Sequence, residues 1–198
     1  VNLRDEQRLS SRHALRAAAI ELVGGRGFSA VTVDDIARSA GVSRRTFFNH
    51  FPTKMAALFD PEPGDADRLE KLLAEADVSQ GIWPGLQRVC LSYIAGLDDV
   101  LALWRALIAE SPELAQYQHA AYLHVEVAIE AWVRRLRPDE CFASTVISRT
   151  ATGILSAAFA AWQPSDDLSR LYLLVAEGFS QISTGFSSLH THPSHAAG

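Results

Sequence analysis

A chain of 198 residues, 48% of them hydrophobic, is long enough for one large or two small domains with a proper core. No run approaches the roughly 18 consecutive apolar residues of a membrane span, and the opening residues are too polar for a signal peptide. The formal net charge of −5 argues against nucleic acid only until it is divided: residues 1–55 hold nine Lys/Arg against five Asp/Glu, a net +4, and residues 56–198 hold nine against eighteen, a net −9.

In chain order, Val1 to Gly27 begins with a polar lead-in carrying Arg4, Arg8 and Arg12. It then becomes a helix with Leu15, Ala18, Ala19, Leu22 and Val23 at helical spacing. Gly24, Gly25 and Gly27 are expected to end it. They form no phosphate loop, because no strand precedes them and no Lys-Ser/Thr follows.

From Thr32 to Phe51 the chain reads as two short helices around a tight turn. Val33, Ile36, Ala37 and Ala40 line one face of a helix that Thr32 can cap, and Gly41 supplies the turn. Ser43 caps the second helix, and Pro52 marks its end. Phe47 and Phe51 point inward at i, i+4, which leaves Arg44, Arg45, Phe48 and Asn49 on or near the outer face. A short helix with that face suits a DNA major groove, since Arg pairs guanine and Asn adenine in two-bond geometry. A helical hairpin used only for packing has no need of such a cluster.

The order Thr-Val-Asp-Asp-Ile-Ala, then Ala-Gly-Val-Ser, then Thr-Phe-Phe, His50-Phe51 and Thr53-Lys54 resembles the helix-turn-helix of the TetR transcriptional regulators over about residues 10–56. Phe48 departs from it, standing where many members carry a tyrosine whose hydroxyl touches a phosphate, so it is carried over as a packing contact. The resemblance implies an all-α protein with a three-helix DNA-binding domain at 1–52 and a helical ligand-binding and dimerisation domain at 53–189; the polar tail at 190–198 reads as disordered. Base readout falls on Arg44, Arg45 and Asn49. Phosphate anchoring falls on Thr32, Ser43, Thr46, His50 and Lys54.

Beyond Pro52, Thr53 can cap a short helix through Phe59, and the stretch from Asp60 to Asp65 breaks it. Helices are then expected at 66–76, 82–97, 99–110, 112–136, 140–162 and 167–187, with stops at Gly81, Ser111-Pro112, Pro138 and Pro164. The last two are apolar on more than one face. On 140–162, Phe142, Val146, Gly153, Ala157 and Ala160 form one stripe and Ile147, Ile154, Ala158 and Ala161 another. Such helices are covered on all sides, which points to a second subunit. The dimer interface is placed at Phe142, Ile147, Ile154, Ala158, Leu168, Tyr172, Phe179 and Phe186.

The helices at 82–136 carry Trp83, Tyr93, Trp104, Tyr117 and Trp132. Aromatic bulk with a few polar groups lines apolar ligand pockets, and equally fills cores. Trp83, Leu86, Tyr93, Trp104, Arg105, Ile108, Tyr117 and His124 are therefore the candidate ligand-binding residues. The run Ser43 to Phe48, the break after Phe59 and the Arg-x-Leu-Ile of 105–108 look like the branch of the family with an acyl-CoA-type ligand domain.

No catalytic spacing is found: no His-Glu-x-x-His, no Glu-x-x-His, no Gly-x-Ser-x-Gly, no dinucleotide fingerprint. Cys90 and Cys141 follow no metal-ligand spacing and read as free thiols in a reducing cytoplasm, and His190, His192 and His195 belong to the tail. The expected protein is a cytoplasmic, nucleoid-associated regulator without metal or cofactor. Its partners are a double-stranded palindromic operator, a second copy of itself and a small hydrophobic effector of acyl-CoA or fatty-acyl type. An all-helical enzyme or carrier, and a DNA-binding dimer with no ligand, are the competing readings.

Overall fold

The computed structural model describes residues 3–163 and 165–183. Among them the chain is all-α: α1 Leu3–Arg26, α2 Val33–Ser39, α3 Arg44–His50, α4 Lys54–Phe59, α5 Asp65–Ala74, α6 Ile82–Ala95, α7 Asp98–Glu110, α8 Glu113–Ala121, α9 Leu123–Leu136, α10 Cys141–Ala161 and α11 Leu168–Ser183. Phe186 and the tail from His190 lie outside the described residues.

Internal packing divides the chain into two compact units. The first takes the residues up to Asp65 together with Asp99–Leu123; the second takes Ala66–Asp98 and the residues from His124 on. Thus α8 and nearly all of α7 pack with the N-terminal helices.

In the first unit, Leu15, Ala19 and Val23 of α1 are buried at helical spacing, and Ile36, Phe47 and Phe51 are buried with them. Full burial of a phenylalanine such as Phe47 contributes roughly 1.5–3 kcal/mol. Two sequence expectations are corrected here. The polar lead-in is helical from Leu3 onward, and α1 runs through Gly24 and Gly25; the stop is Gly27, at φ +81°, whose N–H closes on Val23 O at 2.8 Å. Glycine inside a helix costs only about 1 kcal/mol, which a long, well-packed helix absorbs. Farther on, α4 is sheathed by α7 and α8: Trp104 donates its indole N–H to Leu58 O at 2.9 Å, and Phe59 lies 5.7 Å from Trp104 and 6.3 Å from Tyr117.

The expected single helix at 112–136 is in fact two, α8 and α9, parted at Tyr122. No proline or glycine stands there to signal it. Tyr122 instead leaves helical geometry with its ring set edge-on to Trp104 at 5.5 Å, and the break coincides with the boundary between the units.

In the second unit, α6, α10 and α11 pack together. Trp83 packs against Phe179 with the rings tilted and 4.6 Å apart, and donates to its carbonyl at 3.1 Å. Gly178 lets α11 approach α10 closely, since a Cβ there would lie 2.6 Å from Ile154 Cγ2. The inward stripe of α10 is small, with Ser144, Ser148, Ala151 and Ala158 buried. Salt and hydroxyl contacts tie α9 to α10: Arg149 Nε to Glu126 at 3.2 Å and Thr145 Oγ1 to Glu130 at 3.0 Å. Burial pushes the Cys90 thiol up to about 12, so it behaves as a small apolar residue.

Candidate nucleic-acid interface

Both short helices are fixed at their starts by their own sequence. Thr32 and Asp35 form a reciprocal capping box on α2, with Asp35 N–H donating to Thr32 Oγ1 at 3.2 Å and Thr32 N–H to Asp35 Oδ2 at 3.0 Å. The Thr32 hydroxyl, donating to Asp35 Oδ2 at 2.6 Å, and then the Thr32 N–H hold the Asp35 carboxyl below the usual range. Ser43 Oγ accepts from Thr46 N–H at 3.0 Å at the start of α3, and Thr53 likewise caps α4 at 3.1 Å. Gly41, at φ +68°, makes the turn between α2 and α3.

Phe47 and Phe51 anchor the inward face of α3, leaving Arg44, Arg45, Phe48 and Asn49 exposed. Arg45 and Asn49, one turn apart, have no polar partner among the described residues and are presented to solvent side by side. Arg44 is engaged: it donates to Asp34 at 2.7 Å and lies over the Phe48 ring at 5.5 Å. Thr32, Ser43 and Thr46 present hydroxyls already tied into caps.

Lys54 is placed differently from a surface anchor. Its ammonium donates to Phe28 O and, at 2.6 Å, to Val31 O, and sits 3.9 Å over the Phe28 ring. Burial lowers its pKa. It clamps the loop between α1 and α2.

His50, at the end of α3, joins two adjoining grooves. One, of about 350 Å³, is lined by Asp5, Arg8, Leu9, Arg12, His50 and Pro63. The other, of about 410 Å³, is lined by Arg4, Gln7, Arg8, Ser11, Asn49 and His50. Arg12 braces the corner by donating to His50 O at 3.0 Å and Pro61 O at 3.3 Å, with its guanidinium 4.2 Å over Phe51. Burial, then Arg8 and Arg12, push the His50 pKa down. The sequence places Arg4 and Arg8 only in a polar lead-in and gives them no role in DNA contact, although i, i+4 spacing with Arg12 puts all three on one face of a helix.

Of the residues expected to bind ligand, Trp83, Leu86, Tyr93 and His124 belong to the second unit and Trp104, Arg105, Ile108 and Tyr117 to the first. Trp104 is wholly buried, and Tyr117 donates to Asp60 at 2.9 Å, so both serve the sheath around α4. Tyr93 Oη lies 3.3 Å from His124 Nε2, and the Arg68 guanidinium stands 4.5 Å over the Tyr93 ring. Of the expected interface residues, Phe142 is 83% exposed, whereas Phe179 and Ala158 lie in the protomer's own core. Ile147, Ile154, Leu168 and Tyr172 are half-buried. The other large outward apolar residues of α10 and α11 are Val146 and Leu173.

Residues 15–60 match the sequence model of the bacterial regulatory proteins of the tetR family. Along 189 residues, 93% of this chain and 95% of the relative, the sequence is 26% identical to the transcriptional regulator MftR of Mycobacterium tuberculosis. It is 40% identical to the HTH-type transcriptional regulator EthR of the same organism over 65 residues, 31% of this chain and 30% of that one. In structure it resembles FadR of Thermus thermophilus, a TetR-family repressor solved with lauroyl-CoA, at a TM-score of 0.55 and 25% identity over 94% of this chain and 99% of that one. Residues 15–60 thus carry the tetR-family DNA-binding segment, and nearly the whole chain is similar to transcriptional regulators of that family. Such regulators bind DNA, act as dimers and are not enzymes, which removes the enzyme reading. Among the described residues no helix is long and apolar enough to cross a membrane.

Proposed function

We propose that this regulator is a repressor that binds a palindromic operator as a homodimer and is released by a small hydrophobic effector of acyl-thioester type. The observation that carries the DNA part is the exposed, unpartnered pair Arg45 and Asn49 on a helix whose start is capped and whose inner face is locked by Phe47 and Phe51. Arg45 reads guanine and Asn49 adenine. Phosphates lie along Arg4, Arg8 and His50 and at the capped starts of α2 and α3. In this reading residues 1–52 are the reading head and 53–189 the effector and dimerisation body.

The uncovered apolar stripe of α10, with Phe142 and Val146, and Leu173 of α11 supply the face for the second copy. The effector class rests on the likeness to the lauroyl-CoA complex, and within the second unit the Tyr93–His124 pair is the polar group suited to a thioester carbonyl. Binding shifts the dimer toward a state whose heads no longer match the half-sites.

Selection from a random duplex pool tests the first part: an enriched palindrome is expected, and no enrichment defeats it. Titrating lauroyl-CoA into the complex with the selected duplex tests the second. Release is expected, weakened in His124→Ala, and no release by acyl-CoAs of any length removes the effector class.

A further inference from the structure

Two neighbouring carboxylates stand beside the reading helix, and they are used differently. Asp35 completes the cap of α2 and pairs with Arg38 at 3.2 Å on its own helix. Asp34 reaches across to α3, where its Oδ2 accepts from Arg44 at 2.7 Å while both side chains stay about half exposed. An exposed pair of this kind adds little to stability, and a carboxylate on a phosphate-facing surface opposes DNA binding. Asp34 also favours the dipole of α2 from its first turn, but that duty does not require the contact with Arg44.

We propose that Asp34 is a specificity-determining residue that withholds Arg44 from non-specific phosphate contact and yields it only to a base pair offering a two-bond acceptor. The proposal rests on the DNA-binding reading above. On random duplex the Asp34–Arg44 pair stays closed, so the surface releases one counterion fewer. At the operator, guanine O6 and N7 replace the carboxylate as a planar two-acceptor partner for the guanidinium. The Asp34 charge left beside the duplex then penalises any sequence that compensates Arg44 poorly, which is discrimination by repulsion. Arg45 and Asn49 have no such restraint, so the control acts on one reader of three.

The test compares the full-length wild type with Asp34→Asn, Arg44→Gln and the double variant, on selected and random duplexes over a salt series. Asp34→Asn is expected to tighten random-duplex binding roughly five-fold near physiological salt and to steepen the salt slope by about one. The selected-to-random ratio falls accordingly, and both changes vanish in the Arg44→Gln background. Unchanged random-duplex affinity overturns the proposal, as does an equal loss on all sequences with the thermal melt intact, which marks Asp34 as a helix support only. If Asp34→Asn lowers the melting temperature, Arg44→Gln alone decides: it must leave random-duplex affinity unchanged while weakening the selected duplex. A wild type that selects no sequence instead defeats the DNA-binding reading beneath the proposal.

Discussion

Helices α3 and α10 each leave one face uncovered, and the two faces have opposite chemistry. On α3 the aromatics Phe47 and Phe51 turn inward and Arg45 and Asn49 turn out. On α10 the order reverses: the small Ser144, Ser148, Ala151 and Ala158 turn inward, and Phe142 and Val146 turn out. A polar outer face is stable in water and waits for a polar partner. An apolar one exposes area whose burial drives association. The contrast suggests that α3 meets nucleic acid and α10 a second copy, and it makes the direction of each side chain, rather than its type, the quantity to test.

The largest effects come from reversing those directions. Phe142→Asp with Val146→Asp is expected to turn the dimer into a monomer, at roughly 3–6 kcal/mol for the two apolar side chains removed from each protomer. The melting temperature of the dilute monomer should change little, because Phe142 is almost wholly exposed and Val146 nearly half exposed in the protomer. Light scattering and thermal melting check both halves; a dimer that persists moves the interface elsewhere. Phe179→Ala should do the opposite, costing about 3–5 kcal/mol of protomer stability through the lost contact with Trp83.

Next in size is Arg45→Ala, which should cost about 1–3 kcal/mol at one operator position and relax the preference there. Uniform loss across sequences would reduce Arg45 to a phosphate contact. Lys54→Ala is expected to lower stability by about 1–2 kcal/mol, since charged hydrogen bonds to Phe28 O and Val31 O are lost. It should leave the salt slope of DNA binding unaltered; a slope reduced by about one would show that Lys54 swings out to a phosphate.

The difference between the two helices also explains what could be read in advance. The polar groups of the α2–α3 segment are settled by residues three apart, Thr32 with Asp35 and Ser43 with Thr46, and such spacings are visible in a sequence. The polar groups of the body are settled over long separations. Trp83 bonds to Phe179, Tyr117 to Asp60 and Tyr172 to Asp98. The aromatics at 82–136 therefore read equally as pocket or core, and only the fold assigned Trp104 and Tyr117 to the sheath of α4. On α10 the two apolar stripes were both legible, but not their direction, because the choice depends on Gly178 admitting Ile154 from another helix. The break at Tyr122 had no local signal at all. Lys54 shows the reverse case: its position in the motif was plain, while its bonding partners lie in the loop after α1.

The smallest effect concerns His50, where the reading face meets the basic grooves. In the free protein its pKa is lowered, first by burial and then by the charges of Arg8 and Arg12. A histidine so depressed is destabilising to protonate in the fold, so stability falls as pH drops below the ordinary value of about 6.5 and levels off below the folded pKa. A DNA phosphate seated beside Arg8 would offset those two cations and raise the His50 pKa. The complex would then hold more protons than the free protein, and DNA affinity would climb as pH falls from the bound pKa to the free one, with no further gain below. Titrating the His50 ring resonance by NMR, free and with duplex, measures both values directly. An upward shift on binding, abolished in Arg8→Gln, is the expected result. A His50 pKa that does not move would leave the grooves beside α1 empty of phosphate and confine the DNA contact to the faces of α2 and α3.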